Sequence, residues 1–173
     1  LGEVDVPGDF SSAAPLFAAA ALFPGGDVPV PGLGLNPRRT GLLDVLDRMG
    51  GRVGILARRK LGQEQVGDIE VRSAELTATT IGAAEVPLLI DELPLFALLA
   101  AHARGVSRVS GAEELRHKET DRIDALVDAL RATGVRARGE ADGFAITGVP
   151  ARPRGGKVDA RGDHRIAMLG AIA

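Results

Sequence analysis

An internal repeat is the feature that most limits what this 173-residue chain can fold into. One segment has apolar residues at the i, i+3, i+4, i+7 spacing of an amphipathic helix, namely Leu42, Val45, Leu46 and Met49. The same spacing returns 81 residues later, at Ile123, Leu126, Val127 and Leu130. Because a repeat of this length is too long for a solenoid array, it predicts a closed lobe of two or three equivalent units.

Another sequence pattern, an aspartate followed by a run rich in alanine and leucine, occurs three times. These runs cover residues 9–21, 91–101 and 163–171. Aspartate is a favourable N-cap, so we expect Asp9, Asp91 and Asp163 to cap three helices. The runs are apolar on nearly all sides, which predicts that the helices are buried.

Short alternating strands complete each unit. They fall at residues 28–30, 53–60 and 67–72 in the first unit, and at 106–109, 135–138 and 144–147 in the second. Each unit then has the order β-α-β-α-β-β, with a strand-like start at Val4–Val6 for the first. The predicted fold is α/β (α+β), with sheets around central buried helices. The units span about 1–84, 85–156 and, for the start of a third, 157–173, all within one incomplete lobe.

Composition excludes several classes of function. The net charge is −2 and the only aromatic residues are five Phe, which argues against a nucleic-acid surface. No Cys is present, so neither disulfides nor a nucleophilic thiol can come from this chain. The three His residues lack metal-ligand spacing, and no apolar run is long enough for a membrane span. These features fit a cytosolic protein without a metal.

The densest charge in the chain lies at residues 114–122, directly before the second amphipathic helix. Thr120 or Asp121 is the expected N-cap, which places Arg122 in the first turn and Lys118 just before it. Cations at a helix N-terminus oppose the helix dipole, but they suit the binding of an anion. Glu119 beside Lys118 could act as a tuned acid. The alternative interpretation is a solvated surface with mutual salt bridges.

The two other buried helices also carry charge at their starts. In Asp163-His164-Arg165, the arginine again lies where an anion would bind, or else the three residues are a cap followed by two exposed polar side chains. Asp91 could serve as a general base or simply as a cap. We expect Glu92 beside it to be an acid that complements the helix dipole.

Five segments together resemble the 5-enolpyruvylshikimate-3-phosphate synthase family over essentially the whole chain. They are VPGDFSSA at 6–13, LNPRRTG at 35–41, IDELP at 90–94, ELRHKETDR at 114–122 and DHRIAM at 163–168. The last two separate this family from the related UDP-N-acetylglucosamine enolpyruvyl transferases. The resemblance implies one lobe of a two-lobed enzyme, an inside-out α/β barrel. It also implies a monomer that needs no metal or organic cofactor.

The reaction that the resemblance implies transfers the enolpyruvyl group of phosphoenolpyruvate to the 5-hydroxyl of shikimate 3-phosphate and releases phosphate. Asp91 is expected to contact the ring and accept the hydroxyl proton, Lys118 to bind the 3-phosphate, and Glu119 to exchange a proton with the methylene carbon. Phosphoenolpyruvate is expected to contact residues at two helix starts: Arg122, His164 and Arg165. The alternatives are a UDP-N-acetylglucosamine enolpyruvyl transferase and a non-catalytic anion-binding lobe.

Both ends of the chain look cut, because it opens at once on a strand-like segment and closes on an apolar run without a cap. We therefore expect a fragment of a longer polypeptide, whose N-terminal lobe supplies the other half of the site. On this interpretation the fragment alone is inactive.

Overall fold

The structure is a computed structural model that describes residues 5–148 and 154–173. The helices are α1 (Phe10–Leu22), α2 (Gly41–Arg48), α3 (Val86–Leu89), α4 (Leu93–His102), α5 (Arg122–Ala132) and α6 (His164–Ile172). The strands are β1 (Asp27–Gly34), β2 (Arg52–Leu61), β3 (Glu64–Arg72), β4 (Thr80–Ile81), β5 (Gly105–Val109), β6 (Arg136–Glu140) and β7 (Gly143–Gly148). Two 3₁₀ turns cover Ile90–Glu92 and Glu113–His117.

The two sheets have matching topologies, which confirms the repeat. The first has the order β1-β3-β2 with antiparallel pairs, and the second has the order β4-β5-β7-β6. In the second sheet β4 pairs with β5 in parallel. In the first sheet a single parallel bridge from Gly8 to Leu33 of β1 occupies the same place. Of the strand expected at Val4–Val6, the first residue lies outside the described residues, and the other two are not in a strand.

Two apolar helices, α1 and α4, form the centre of the molecule, as the sequence predicts. The burial expected for the third run is wrong in part, because α6 buries only Ile166 and Leu169 on the side that packs against α1 and α4. α1 and α4 pack against each other, and both contact α6. Phe17 of α1 and Phe96 of α4 are fully buried, and Phe96 packs against Phe144 of β7 with ring centroids 6.5 Å apart. The amphipathic helices α2 and α5 bury their apolar faces around this centre. Each fully buried leucine contributes about 1.5–3 kcal/mol through removal of apolar surface from water.

Two of the three expected aspartate caps are present. Asp9 accepts a hydrogen bond from the backbone N–H of Ser12 at 2.8 Å, and Asp163 accepts one from that of Arg165 at 2.8 Å. The cap expected at Asp91 is wrong, because Asp91 lies in the 3₁₀ turn Ile90–Glu92 and α4 begins only at Leu93. The turn directs the Asp91 carboxylate toward arginines of other helices, so it does not bond the free N–H groups of α4.

The start of α5 also follows the sequence. Asp121 is the N-cap, and its carboxylate accepts from the backbone N–H of Asp124 at 3.1 Å. Gly134 follows the end of the helix with φ of 87°, a left-handed conformation that glycine adopts at little cost. In the described part of the chain no helix is long and apolar enough to cross a membrane.

Candidate active site

Charged side chains gather where α1, α4 and α6 begin, next to the first turn of α5. We call this group the helix-end cluster. Its members are Asp9, Ser11, Arg39, Asp91, Glu92, Glu119, Arg122, Asp163 and Arg165. Because the side chains come from α1, α4, α5 and α6, from the segments before these helices and, for Arg39, from the segment before α2, the packing of the helices fixes their relative positions.

Arg122 is the centre of the helix-end cluster. Its side chain is only 2% exposed, and three carboxylates surround the guanidinium. Nε donates to Asp163 at 2.7 Å, one terminal nitrogen donates to Asp91 at 3.3 Å, and the other donates to Glu119. A buried cation is expensive without such partners, so the carboxylates compensate the charge of Arg122 and hold its side chain in place.

Asp163 joins Arg122 to the start of α6. Burial alone would raise the pKa of the Asp163 carboxyl. Hydrogen bonds from Arg122 and from the backbone N–H of Arg165 outweigh that effect, so the pKa lies below its ordinary value. Asp163 is therefore ionised at neutral pH although it is completely buried. One carboxylate thus both caps α6 and holds the guanidinium at the start of α5.

Arg165 has looser contacts than Arg122. Its terminal nitrogens lie 3.6 Å from Glu92 and 3.7 Å from Asp91, and one donates to the backbone carbonyl of Ser11 at 3.5 Å. Its Nε is buried and has no hydrogen-bond partner among the described residues. Buried donors are nearly always paired in folded proteins, so this guanidinium has unused capacity to bind an anion.

The acid and the lysine of the charged segment face different partners. Glu119 is half exposed and pairs with Arg122, whereas Lys118 donates to Glu114 at 2.6 Å in an i,i+4 pair. The mutual salt bridges considered from sequence are therefore present. The charges of this segment divide between this surface pair and the ion pair of Glu119 with the buried Arg122.

The structure brings four of the six predicted site residues into direct contact. Asp91 and Glu119 contact Arg122, and Asp91 also lies beside Arg165. Lys118 is next to Glu119 in the chain but pairs with Glu114. The sixth is His164, an exposed residue whose imidazole is in none of the ion pairs described above.

Sequence reasoning missed Glu92 as a member of the cluster. It was expected to complement a helix dipole, yet it makes no capping hydrogen bond and is 2% exposed. Burial raises the pKa of the Glu92 carboxyl, although a hydrogen bond from Ser11 and the charge of Arg165 oppose the shift. The signal available in the sequence was the repeat itself, since Ser11 and Glu92 are 81 residues apart.

Arg116 is a structural residue of the site. Its guanidinium donates to the backbone carbonyls of Ala141 and Glu140 and to the carboxylate of Asp121. These bonds tie the segment before α5 to the β6–β7 turn. Arg116 thereby fixes the place from which Lys118 and the helix start project.

A small open cleft of about 170 Å³ adjoins the helix-end cluster. Among the residues that line it are Ser11, Arg38, Arg39, Asp91 and Glu92. A larger groove of about 480 Å³ lies on the outer face of the second sheet, away from these carboxylates. Within residues 5–148 and 154–173, no group of three or more His, Cys, Asp or Glu could hold a metal ion.

The fold matches that of solved enolpyruvyl-transferring enzymes. The structure of EPSP synthase from Acinetobacter baumannii superposes with a TM-score of 0.93 at 36% identity, covering 98% of this chain and 40% of that one. The family model of EPSP synthase (3-phosphoshikimate 1-carboxyvinyltransferase) matches residues 1–173, and the chain belongs to this family.

Curated relatives agree with this assignment. Proteins named 3-phosphoshikimate 1-carboxyvinyltransferase are 49% identical in Lactiplantibacillus plantarum and 46% identical in Legionella pneumophila strain Paris. Each alignment covers 99% of this chain but only 40% and 39% of the respective relative. The chain thus spans about two fifths of the length of the relatives it matches.

Proposed function

We propose that the chain carries half of the active site of a 3-phosphoshikimate 1-carboxyvinyltransferase. This enzyme would transfer the enolpyruvyl group of phosphoenolpyruvate to the 5-hydroxyl of shikimate 3-phosphate and release phosphate. The observation that carries the proposal is the unpartnered, buried Nε of Arg165 beside Asp91, in a chain of this family. A donor without a partner next to a possible proton acceptor suits an anionic substrate that undergoes proton transfer.

Each candidate residue has a distinct role in this proposal. Arg165 and Arg122 bind phosphoenolpyruvate through charge-assisted hydrogen bonds, with His164 beside them. Lys118 exchanges its contact with Glu114 for the 3-phosphate of the second substrate. Arg122 likewise exchanges its contact with Glu119 for phosphoenolpyruvate. Both exchanges are feasible because Glu114 and Glu119 are exposed and can move.

Two carboxyl groups divide the proton transfers. Protonated Glu119 gives a proton to the methylene carbon, which makes the adjacent carbon electrophilic, and the 5-hydroxyl oxygen attacks that carbon while Asp91 takes its proton. Glu119 then removes a proton from the new methyl group, the double bond re-forms, and phosphate leaves. Each carboxyl group starts beside Arg122, which keeps both near the reacting atoms.

A second lobe of the same polypeptide would complete the site. Two polyanionic substrates need more cations than Lys118, Arg122 and Arg165 provide, and the relatives are about two and a half times as long as this chain. We place the complete enzyme in the cytoplasm as a monomer whose lobes close over the substrates. The 173-residue chain alone is then inactive, and turnover by it would contradict this part of the proposal.

Replacement of Glu119 by Gln in the complete polypeptide tests the mechanism. Phosphate release from phosphoenolpyruvate and shikimate 3-phosphate should fall by about 10²–10⁴, the usual contribution of general acid–base catalysis. Glu114→Gln, which changes a surface acid of the same segment, is the matched control and should keep the chemical step intact. Unchanged turnover in Glu119→Gln would remove Glu119 from the mechanism.

A competition experiment tests the choice of substrate. The names of the curated relatives do not favour a UDP-sugar acceptor. Shikimate 3-phosphate should therefore protect the complete polypeptide in a thermal shift assay, and UDP-N-acetylglucosamine should not. The reverse result would overturn the proposed acceptor.

A further inference from the structure

Glu92 is a buried acid whose place in the fold calls for no acid. It occupies the N-cap position of α4, yet its carboxylate makes no capping hydrogen bond. The proposed chemistry assigns it no proton. Burial of a carboxylate costs free energy, and the raised pKa of Glu92 reflects that cost. An apolar residue would serve the packing of α4 better, so the charge has another purpose.

The contacts of Glu92 lead to Arg165. Its Oε1 accepts from the hydroxyl of Ser11 at 2.5 Å and lies 3.6 Å from a terminal nitrogen of Arg165. Ser11 in turn accepts from Arg39 at 3.2 Å. One residue from the start of each of α1, α4 and α6 therefore meets at this point, and the acid is the member that attracts the guanidinium.

The position of Arg165 depends on two neighbouring carboxylates. Asp91 lies 3.7 Å from one terminal nitrogen and Glu92 lies 3.6 Å from the other. Both distances are longer than a hydrogen bond, so the carboxylates orient the guanidinium without occupying its donors. Asp91 has its own proposed role at the substrate hydroxyl, which leaves Glu92 as the partner free to remain in place throughout the reaction.

We propose that Glu92 is a positioning residue that, with Ser11, holds the guanidinium of Arg165 ready to bind the anion of phosphoenolpyruvate. The proposal rests on the proposed function for the identity of that anion. Glu92 touches no substrate and acts only through Arg165. It thereby aligns the donors of Arg165 before binding, which lowers the ordering cost of substrate capture.

Glu92→Gln separates this role from packing. Both contacts of Glu92 pass through one oxygen, so the glutamine carbonyl can keep the bond from Ser11 while the charge is lost. The KM for phosphoenolpyruvate should rise about five- to tenfold, as expected for replacing a charged partner by a neutral one. The KM for shikimate 3-phosphate and kcat should stay within twofold. The melting temperature should not fall, because the cost of a buried charge is removed.

Two further variants complete the kinetic test. In an Arg165→Ala background, Glu92→Gln should add nothing to the KM for phosphoenolpyruvate, since the residue that Glu92 positions is absent. Glu85→Gln breaks an exposed pair with Arg48 and is the matched control, with both KM values unchanged. Equal KM values in wild type and Glu92→Gln, or a lower melting temperature with both KM values raised, would overturn the proposal.

A spectroscopic measurement tests the positioning role of Glu92 without depending on turnover. The Nε–H signal of Arg165 in ¹⁵N NMR, assigned by its loss in Arg165→Lys, should broaden in Glu92→Gln without any substrate. If the wild type lacks turnover but this broadening occurs, the proposed function fails and the positioning role stands. An unchanged signal removes the positioning role whatever the activity.

Discussion

Asp163→Asn is the substitution that most directly tests the buried ion pair. Asparagine has the same shape and is an equally good N-cap, so the bond from the backbone N–H of Arg165 should survive. What changes is the charge that faces Nε of Arg122 at 2.7 Å, in a pair whose two side chains are 2% and 0% exposed.

The contacts of Asp163 and Arg122 set limits on the free energy of unfolding that Asp163→Asn should lose. Removing one partner of a buried pair costs about 3–5 kcal/mol. Arg122 keeps Asp91 and Glu119, and the amide oxygen can still accept from Nε, so we expect about 2–3 kcal/mol for Asp163→Asn. For a chain of this size that lowers the melting temperature by about 4–12 °C. Asp121→Asn changes a more exposed capping acid paired with Arg116, and should cost at most about 1 kcal/mol.

The destabilisation by Asp163→Asn should depend on pH. The pKa of Asp163 is lower in the folded protein than in the unfolded chain, so its stabilisation is fully present above the unfolded value of about 3.9. The stabilisation fades as the pH falls below that value toward the folded pKa. Thermal unfolding of wild type and Asp163→Asn should therefore differ most near pH 7 and converge in acid. A constant difference, or equal losses for Asp163→Asn and Asp121→Asn, would refute this explanation.

Two further predictions concern the packing of the second unit. Gly143→Ala would place a Cβ 2.0 Å from the backbone carbonyl oxygen of Val109, so the free energy of unfolding measured by chemical denaturation should fall by about 1–3 kcal/mol or more. Gly82→Ala is the control, because a Cβ there meets open space and should leave the free energy of unfolding nearly unchanged. Phe96→Ala empties the site beside Phe144 and should cost about 3–5 kcal/mol, against about 0.5 kcal/mol or less for an alanine at the exposed Leu16. Similar losses within either pair of variants would contradict the packing described above.

Most of the fold could be predicted because the chain contains two units with the same order of helices and strands. The amphipathic pattern and the stop at Gly134 set the bounds of α5 within about two residues, and the caps at Asp9 and Asp163 depend only on local chemistry. β4 escaped prediction because two residues show no periodicity, and only its parallel neighbour defines it as a strand. The matching topology of the two sheets depends on which strands pair with each other, and no local sequence pattern predicts that pairing.

The site was harder to predict because its geometry is tertiary. Asp91 looked like a cap by analogy with its sister helices, but attraction from Arg122 and Arg165 outweighs the local preference. The pair between Lys118 and Glu114 was available from i,i+4 spacing alone. The burial of Glu92 could not be predicted from spacing within one helix, because its partner Ser11 lies 81 residues away and only the repeat relates the two.

Each sheet is built from one continuous segment of the chain, which affects how the molecule unfolds. β1–β3 come from residues 27–72 and β4–β7 from residues 80–148, so each sheet can form from one stretch of chain, and α1 and α4 join the two. Such an arrangement favours separate cooperative units of unfolding, which native-state hydrogen exchange resolves. The contacts of Glu92 with Ser11 and Arg165 need both units and α6 at once. The helix-end cluster is therefore intact only when both units and α6 are packed together. We expect the contacts of this cluster to be lost before either sheet unfolds.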